Sequence, residues 1–344
     1  MAIKQSTSIS FTQYYVDFKL SKTKDKFLFQ INQAINWKQI NKILSKHYKK
    51  GQSGLGRAAY SPLLLFKITL LQTWYNLSDY QVEEQVNDRL SFMKFCKVTL
   101  EDDIPDHSII SRFRKVLNKT NTWELLLEEI NSHLSKHGIL NVKQGVIVDA
   151  SVTTSLNKPK GKTTYIATKE EKAPVEKEVK PGVDTEGSWL KKGGKLHYGY
   201  KRHYVSDGKH ALVLSVHTTK ASSHETNHLS ACLDKVSLPS GTMVYADKGY
   251  CSSKNKELLK SKGLKNGIQQ ISYKSSKQSC FTNSRNKLIS KVRYKIERVF
   301  GSIKRWFGRL ETRYVGLAKT HGQHVLEAIS YNLYRLPGII TSKA

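Results

Sequence analysis

A chain of 344 residues with 38% hydrophobic and 25% charged content can bury a sizeable core, which excludes disorder throughout and allows one large domain or two to three smaller ones. Its 57 Lys and Arg face 28 Asp and Glu, a formal net charge of +29. Self-repulsion of that size points to a polyanionic partner, nucleic acid ahead of an anionic membrane surface. The four cysteines, Cys96, Cys232, Cys251 and Cys280, share no metal-binding spacing. The first residues lack an apolar signal core, and the longest apolar run, PLLLFKITLLQTW, is too short to span a bilayer. A cytoplasmic, nucleoid-associated protein without membrane partners is expected.

Residues 1–55 read as a Lys-rich arm holding an amphipathic stretch, FLFQINQAINWKQINKIL, and running into the glycine loop GQSGLGR. That loop follows no strand, so it is not read as a nucleotide-binding loop. Residues 56–140 read as a helical unit. Ser61-Pro62 marks one helix start, Ser78 with Gln81 forms a capping box, Asp106 caps HSIISRFRKVLNK, and Asn121 with Glu124 opens TWELLLEEINSHLSKHG. Segment 79–118 reads either as a helix-turn-helix carrying Arg112 and Arg114 towards DNA or as a solvated basic face.

Residues 141–336 read as an α/β domain, with 337–344 as a tail. GVIVDA is a continuous β-branched run, the mark of a buried strand, and it ends in Asp149. LHYGYKRHYV and HALVLSVHT are further strands, and 157–188 is a long surface loop. A helix near 225–236 precedes TMVYAD, which delivers Asp247. NGIQQIS is a last strand, 286–310 is helical, and HGQHVLEAISYNLYRL closes the chain. This order predicts a mixed sheet with helices on its faces, with ligands near the carboxyl ends of its strands.

Each acid has an ordinary reading. Asp149 and Asp247 suit turns, and Glu297 suits an ion pair with Arg293. Their company argues otherwise. At about 100° per residue, Arg293, Glu297 and Lys304 fall at roughly 0°, 40° and 20° on one helical face. The stretch Arg293–Leu317 holds seven basic and five aromatic residues around that glutamate. Three carboxylates from separate elements suit two Mg²⁺ ions about 3.5–4 Å apart, which assist in-line displacement at phosphorus.

VIVDAS, VYADKGY and RYKIERVFGSIKRWFGRLETRYVGL resemble the three active-site blocks of the DDE transposases of bacterial insertion sequences, the insertion sequence 5 family in particular. The helical segment from Ser61 to Leu117 is similar to that family's N-terminal domain, and the resemblance covers roughly residues 55–336. It implies an RNase H-like catalytic domain after an all-helical N-terminal domain. The first aspartate lies on the first strand, the second on the fourth, and the glutamate on a later helix. Asp149, Asp247 and Glu297 would be catalytic and would hold two Mg²⁺ ions, with Mn²⁺ able to substitute. Arg293, Glu297 and Lys304 match the signature Tyr-x2-Arg-x3-Glu-x6-Lys, while its Tyr position is held by Ser290. What that Tyr does for a distorted DNA end is therefore not carried over.

Arg293, Lys304, Arg298, Lys248, Tyr250 and Trp306 would contact DNA, with Trp306 equally suited to a core position. The literal HExxH at His224–His228 lacks the extension of a metalloprotease and reads as a helix start. The family's His and acid after the third strand give His224 a supporting role beside the site. The expectation is a transposase that binds terminal inverted repeats, cleaves at the element ends and joins 3′-OH ends to target DNA, as a homodimer or larger assembly on DNA. The rival readings are a non-catalytic DNA-binding protein and a nuclease without strand transfer.

Overall fold

The structure is a computed structural model and describes residues 26–49, 59–160, 165–166, 176–177, 181–271, 280–308 and 310–342. The start of the basic arm, the glycine loop, Arg309 and most of the long loop after residue 160 lie outside the described residues.

The amphipathic stretch forms two helices, α1 (Lys26–Ala34) and α2 (Trp37–His47). α3 (Pro62–Trp74), α4 (Asp79–Asp88), α5 (Leu90–Cys96), α6 (His107–Lys119) and α7 (Thr122–Lys136) complete the helical unit. Most of α3 is buried all round, which explains its apolar run. The Ser78–Gln81 capping box forms with both bonds, and Asp106 accepts from the backbone N–H groups of Ser108 and Ile109. Ser61 and Asn121 precede their helices without a side-chain cap. Glu124 faces His321 instead, at 2.6 Å.

Arg114 departs from the expected DNA-facing role. It is 5% exposed and bonds Asp79 at 2.5 Å and Gln72 at 3.0 Å. An arginine facing two polar partners across the helical unit is a structural tie, not a free phosphate contact. α4 and α6 are also separated by α5 and a loop, unlike the short turn of a helix-turn-helix. Arg114→Ala is expected to lower unfolding free energy by about 3 kcal/mol, because Asp79 loses its cation. A urea midpoint like that of the parent would contradict this.

Among the described residues the main sheet has seven strands. β1 (Val146–Ser155) is central. β3 (Lys195–Asp207) pairs antiparallel with it, and β5 (Met243–Ala246) pairs parallel on its other side. β6 (Lys265–Ile268) continues the parallel side. The far edge of β3 is taken first by β2 (Ser188–Lys192) and then by β4 (Val213–Lys220). β7 (Glu311–Thr312) pairs with the end of β1. The core order β4–β3–β1–β5–β6 is the expected RNase H-like arrangement, with β2 an additional edge strand.

The expected helix near 225–236 is a 3₁₀ turn, Glu225–His228, followed by the short α8 (Leu229–Leu233). α9 (Ser253–Ser261) joins β5 to β6. The expected helix over 286–310 is two, α10 (Cys280–Arg293) and α11 (Lys295–Arg305), meeting at Tyr294. The closing helix α12 (Leu317–Thr341) runs through Pro337, so the expected tail is helical as far as Thr341.

α12 ties the two expected domains together. Trp74 Nε1 donates to the Ser330 carbonyl at 2.9 Å. Asn332 donates to Asn131 of α7 at 2.9 Å and to the Val213 carbonyl of β4 at 2.8 Å. One apolar cluster runs from Leu28 in α1 to Ile339 in α12. Domain boundaries drawn from composition therefore mark a change of secondary structure inside a shared core.

Candidate active site

The two aspartates meet because of strand register. Val148 of β1 lies opposite Ala246 of β5, so Asp149 and Asp247 follow on adjacent parallel chains. Such chains run about 4.8 Å apart. Asp149 was expected at a strand end, yet β1 continues to Ser155, held by β3 beyond the point where β5 stops. Asp149 thus sits where the parallel pairing ends. Neighbouring N–H groups and side chains can turn towards it there.

Asp149 is 14% exposed at its side chain. It accepts from the Ala150 N–H at 2.8 Å and from Arg293 Nη1 at 2.7 Å. Burial raises its pKa from 3.8 to about 6, against the pull of Arg293 and the Ala150 N–H; the charges of Asp247 and Glu225 add to the rise.

α10 and α11 bring the third acid. Arg293 ends α10 and Glu297 lies in the first turn of α11, with Arg293 Nη2 3.8 Å from Glu297 Oε1. One guanidinium thus spans Asp149 and Glu297, while its Nε is buried without a partner. The turn at Tyr294 keeps helical angles, so the expected Arg293–Glu297 face survives the break between helices. Glu297 is 67% exposed, on the open side. Lys304 lies seven residues on, about 10 Å along the axis. It is half-buried, and its pKa is lowered by burial and by the charges of Arg202 and Lys192.

The remaining expected contacts divide. Lys248, Arg298 and Arg112 are exposed, though Arg112 bonds Ser108. Trp306 is 48% exposed, with one face against Tyr334, so it is neither wholly core nor wholly free. Tyr250 departs from expectation. It is fully buried, with its hydroxyl 3.2 Å from His203 Nδ1, and it props the Asp247 turn from beneath instead of facing DNA. Ser290 is exposed and accepts from Gln269 at 2.7 Å. His224 caps its own turn through Thr226.

The HExxH histidines do not converge. His228 bonds Ser223, while Glu225 turns to Lys201 and to the Asp247 turn. The position of Glu225 beside the aspartates was not legible locally, because its partners come from β3 and the turn after β5.

Among the described residues no three His, Cys, Asp or Glu side chains stand together in a ligating arrangement. The chemistry nevertheless fits a hard divalent cation. Asp149, Asp247 and Glu297 offer only oxygen donors. Asp149 is buried with the charge of Asp247 beside it, and the carboxylate already draws a guanidinium cation to 2.7 Å. None of the described helices is long and apolar enough to cross a membrane.

Two family models match parts of the chain. Residues 16–116 match a family model described as a transposase domain, and residues 141–333 match one described as a transposase DDE domain. The chain is 32% identical over 234 residues to the transposase for insertion sequence element IS1106 of Neisseria meningitidis serogroup B, covering 68% of this chain and 79% of that protein. Among solved structures, the piggyBac transposase synaptic complex with hairpin DNA aligns with a TM-score of 0.43 at 10% identity, over 93% of this chain and 74% of that one. Two aspartates at the end of the parallel pairing in the sheet, inside the matched DDE region, agree with the family matches: the chain belongs to the DDE transposases of insertion sequences.

Proposed function

We propose that the protein binds the terminal inverted repeats of its own element, cleaves at the element ends and joins the freed 3′-OH ends to target DNA. The observation that carries this reading is the placement of Asp149 and Asp247 directly after the Val148–Ala246 pair of β1 and β5, with Arg293 linking Asp149 to Glu297. Asp149, Asp247 and Glu297 would hold two Mg²⁺ ions, or Mn²⁺ in their place. When bound, such ions supply an activated oxygen nucleophile and charge stabilisation for the leaving 3′ oxygen. The buried Asp149 offers its carboxylate from a rigid strand, while exposed Glu297 can swing from its helix.

Arg293, freed from Asp149, can turn a guanidinium to phosphate, for which its planar fork is suited. Exposed Lys248 and Arg298, and half-buried Lys304, would hold the DNA backbone. Trp306 offers a partly open face for an unpaired base. The Arg293–Glu297–Lys304 spacing supports an insertion sequence 5-type enzyme acting in the cytoplasm near the nucleoid. Two element ends must be held at once, so a dimer or larger assembly on DNA is expected.

The test is a strand-transfer assay with the full chain, labelled duplex carrying the sequence that flanks its own element, and supercoiled target plasmid. Joined product with Mg²⁺ and none with EDTA is the expected result. Nicking without joining would mark a nuclease. Tight binding with no reaction across metals and salt would leave a DNA-binding protein without catalysis.

A further inference from the structure

A groove of about 350 Å³ lies where the helical unit meets α12, and none of the three acids lines it. Its floor is apolar, made by Trp123 of α7 and Leu326 of α12, with Tyr314 from the turn after β7 beside them. Trp123 is 2% exposed, and its Nε1 donates to Asn118 Oδ1 at 2.7 Å, so its polar edge is already satisfied. Behind the floor α6 touches α12 at Gly322, where any Cβ would collide with Asn118. That close approach fixes the width of the groove, so the pocket is preformed.

The rim is cationic. Lys115 and Lys119 stand one turn apart on α6, Lys319 joins them from α12, and all three are exposed. No ion pair among the described residues engages any of them. The deeper cations are taken. Arg114 is held by Asp79 and Gln72, with its guanidinium 5.4 Å from the Tyr314 ring centre. Arg313 donates to the Leu77 carbonyl at 2.5 Å and to Asn76 at 3.2 Å. The one carboxylate among the described lining residues is Glu327, 1% exposed, which answers Arg202. Lysines four apart on a helix repel, and a third brought beside them calls for an anion.

A small inorganic anion would satisfy the lysines and leave the apolar floor bare. A nucleotide does both, because its flat base covers apolar surface and its phosphate takes ammonium groups. A paired base cannot enter a groove of this size, since its partner strand comes with it. The groove shares Arg313 and Tyr314 with a shallower depression that reaches Ser155 at the end of β1. Ser155 is six residues past Asp149, about 20 Å along an extended strand. That span equals about six nucleotides at about 3.4 Å each.

We propose that the groove between α6 and α12 is a second DNA site, which takes one unpaired nucleotide of a strand bound at the acids. Its base lies over Trp123 and Leu326, and its phosphate lies among Lys115, Lys119 and Lys319. This rests on the reading that the protein acts on DNA and does not depend on the metal.

The test is fluorescence anisotropy in EDTA with the full-length protein, a fluorescein-labelled oligodeoxythymidylate and an equally labelled, fully paired duplex. Ala318→Trp fills the groove from its exposed edge and removes no cation. It should weaken single-strand binding about fivefold or more and leave duplex binding unchanged. Lys119→Ala with Lys319→Ala should weaken single-strand binding and flatten its salt dependence. Parent-like single-strand binding by Ala318→Trp overturns the proposal. An equal loss for both DNAs also overturns it, because the groove would then be part of a general basic surface. Deoxythymidine 5′-monophosphate that displaces the probe as readily as unlabelled oligonucleotide would make the occupant a free nucleotide and overturn the assignment to DNA. No binding of either DNA by the parent sinks the functional reading too. Should Ala318→Trp fail to fold, the double lysine variant decides, and unchanged single-strand affinity there counts against the groove.

Discussion

Asp149→Asn is expected to lose metal-dependent strand cleavage by about 10³-fold or more while becoming more stable without metal at neutral pH. The first effect follows from removing a fixed anionic oxygen from the centre of the site. A thousandfold loss corresponds to about 4 kcal/mol of transition-state stabilisation. DNA affinity should stay close to that of the parent, because the electrostatic attraction belongs to the basic surface, not to the acids.

The second effect follows from the raised pKa. Folding moves Asp149 from 3.8 to about 6, with burial the leading cause. The charged form is therefore disfavoured in the folded state by about 3 kcal/mol, at 1.36 kcal/mol per pH unit. That cost is absent below the unfolded pKa, sets in as pH rises, and is complete above the folded pKa. In EDTA the parent should thus lose stability between about pH 4 and pH 6, and Asp149→Asn should lack that component. At pH 7.5 the variant should melt a few degrees higher. Equal melting of the two proteins at pH 7.5, or a surviving cleavage rate, would remove Asp149 from the role given to it.

What the sequence made legible was local. The β-branched run before Asp149 and the cap at Asp106 are read from neighbouring residues, and both form. The shared face of Arg293 and Glu297 depends only on helical period, and it persists through the break at Tyr294. What it hid was set by partners far along the chain. Arg114 looks like a basic surface residue until Asp79, 35 residues away, meets it in the interior. Tyr250 reads as an exposed turn aromatic, but His203 lies beneath it. β2 shows no apolar alternation because it is a mostly exposed edge strand, so SWLKK passes for loop. Glu225 sits in a decoy motif whose local reading is a helix start. Only the packing of Gly249 against it shows where it points. The length of β1 past Asp149 depends on β3, which a run of Ser and Thr in the sequence does not announce.

Glu327→Ala is expected to cost about 3–5 kcal/mol of unfolding free energy, the largest stability loss of any single change considered. Glu327 on α12 and Arg202 on β3 face one another at 2.5 Å, each with 1% of its side chain exposed. Arg202 Nε also donates to Thr153 of β1 at 2.9 Å, and Glu327 Oε1 accepts from Gln323 at 2.8 Å. Alanine would leave a guanidinium in the interior without its anion, and that charge has no route to water. Against a typical net stability of about 5–15 kcal/mol, such a loss is a large fraction of the whole. The pair itself need not be strongly favourable, since both charges were desolvated to form it. The double variant Arg202→Met with Glu327→Met should therefore recover much of the loss. Recovery would mean that the single variant suffers from a stranded charge. A double variant as unstable as Glu327→Ala would mean instead that the bonds to Thr153 and Gln323 carry the junction. The consequence reaches the active site through register. Arg202 lies opposite Ser151 on β1, two residues from Asp149. A junction that loosens β3 from α12 should lower cleavage and stability together, whereas Asp149→Asn moves them in opposite directions.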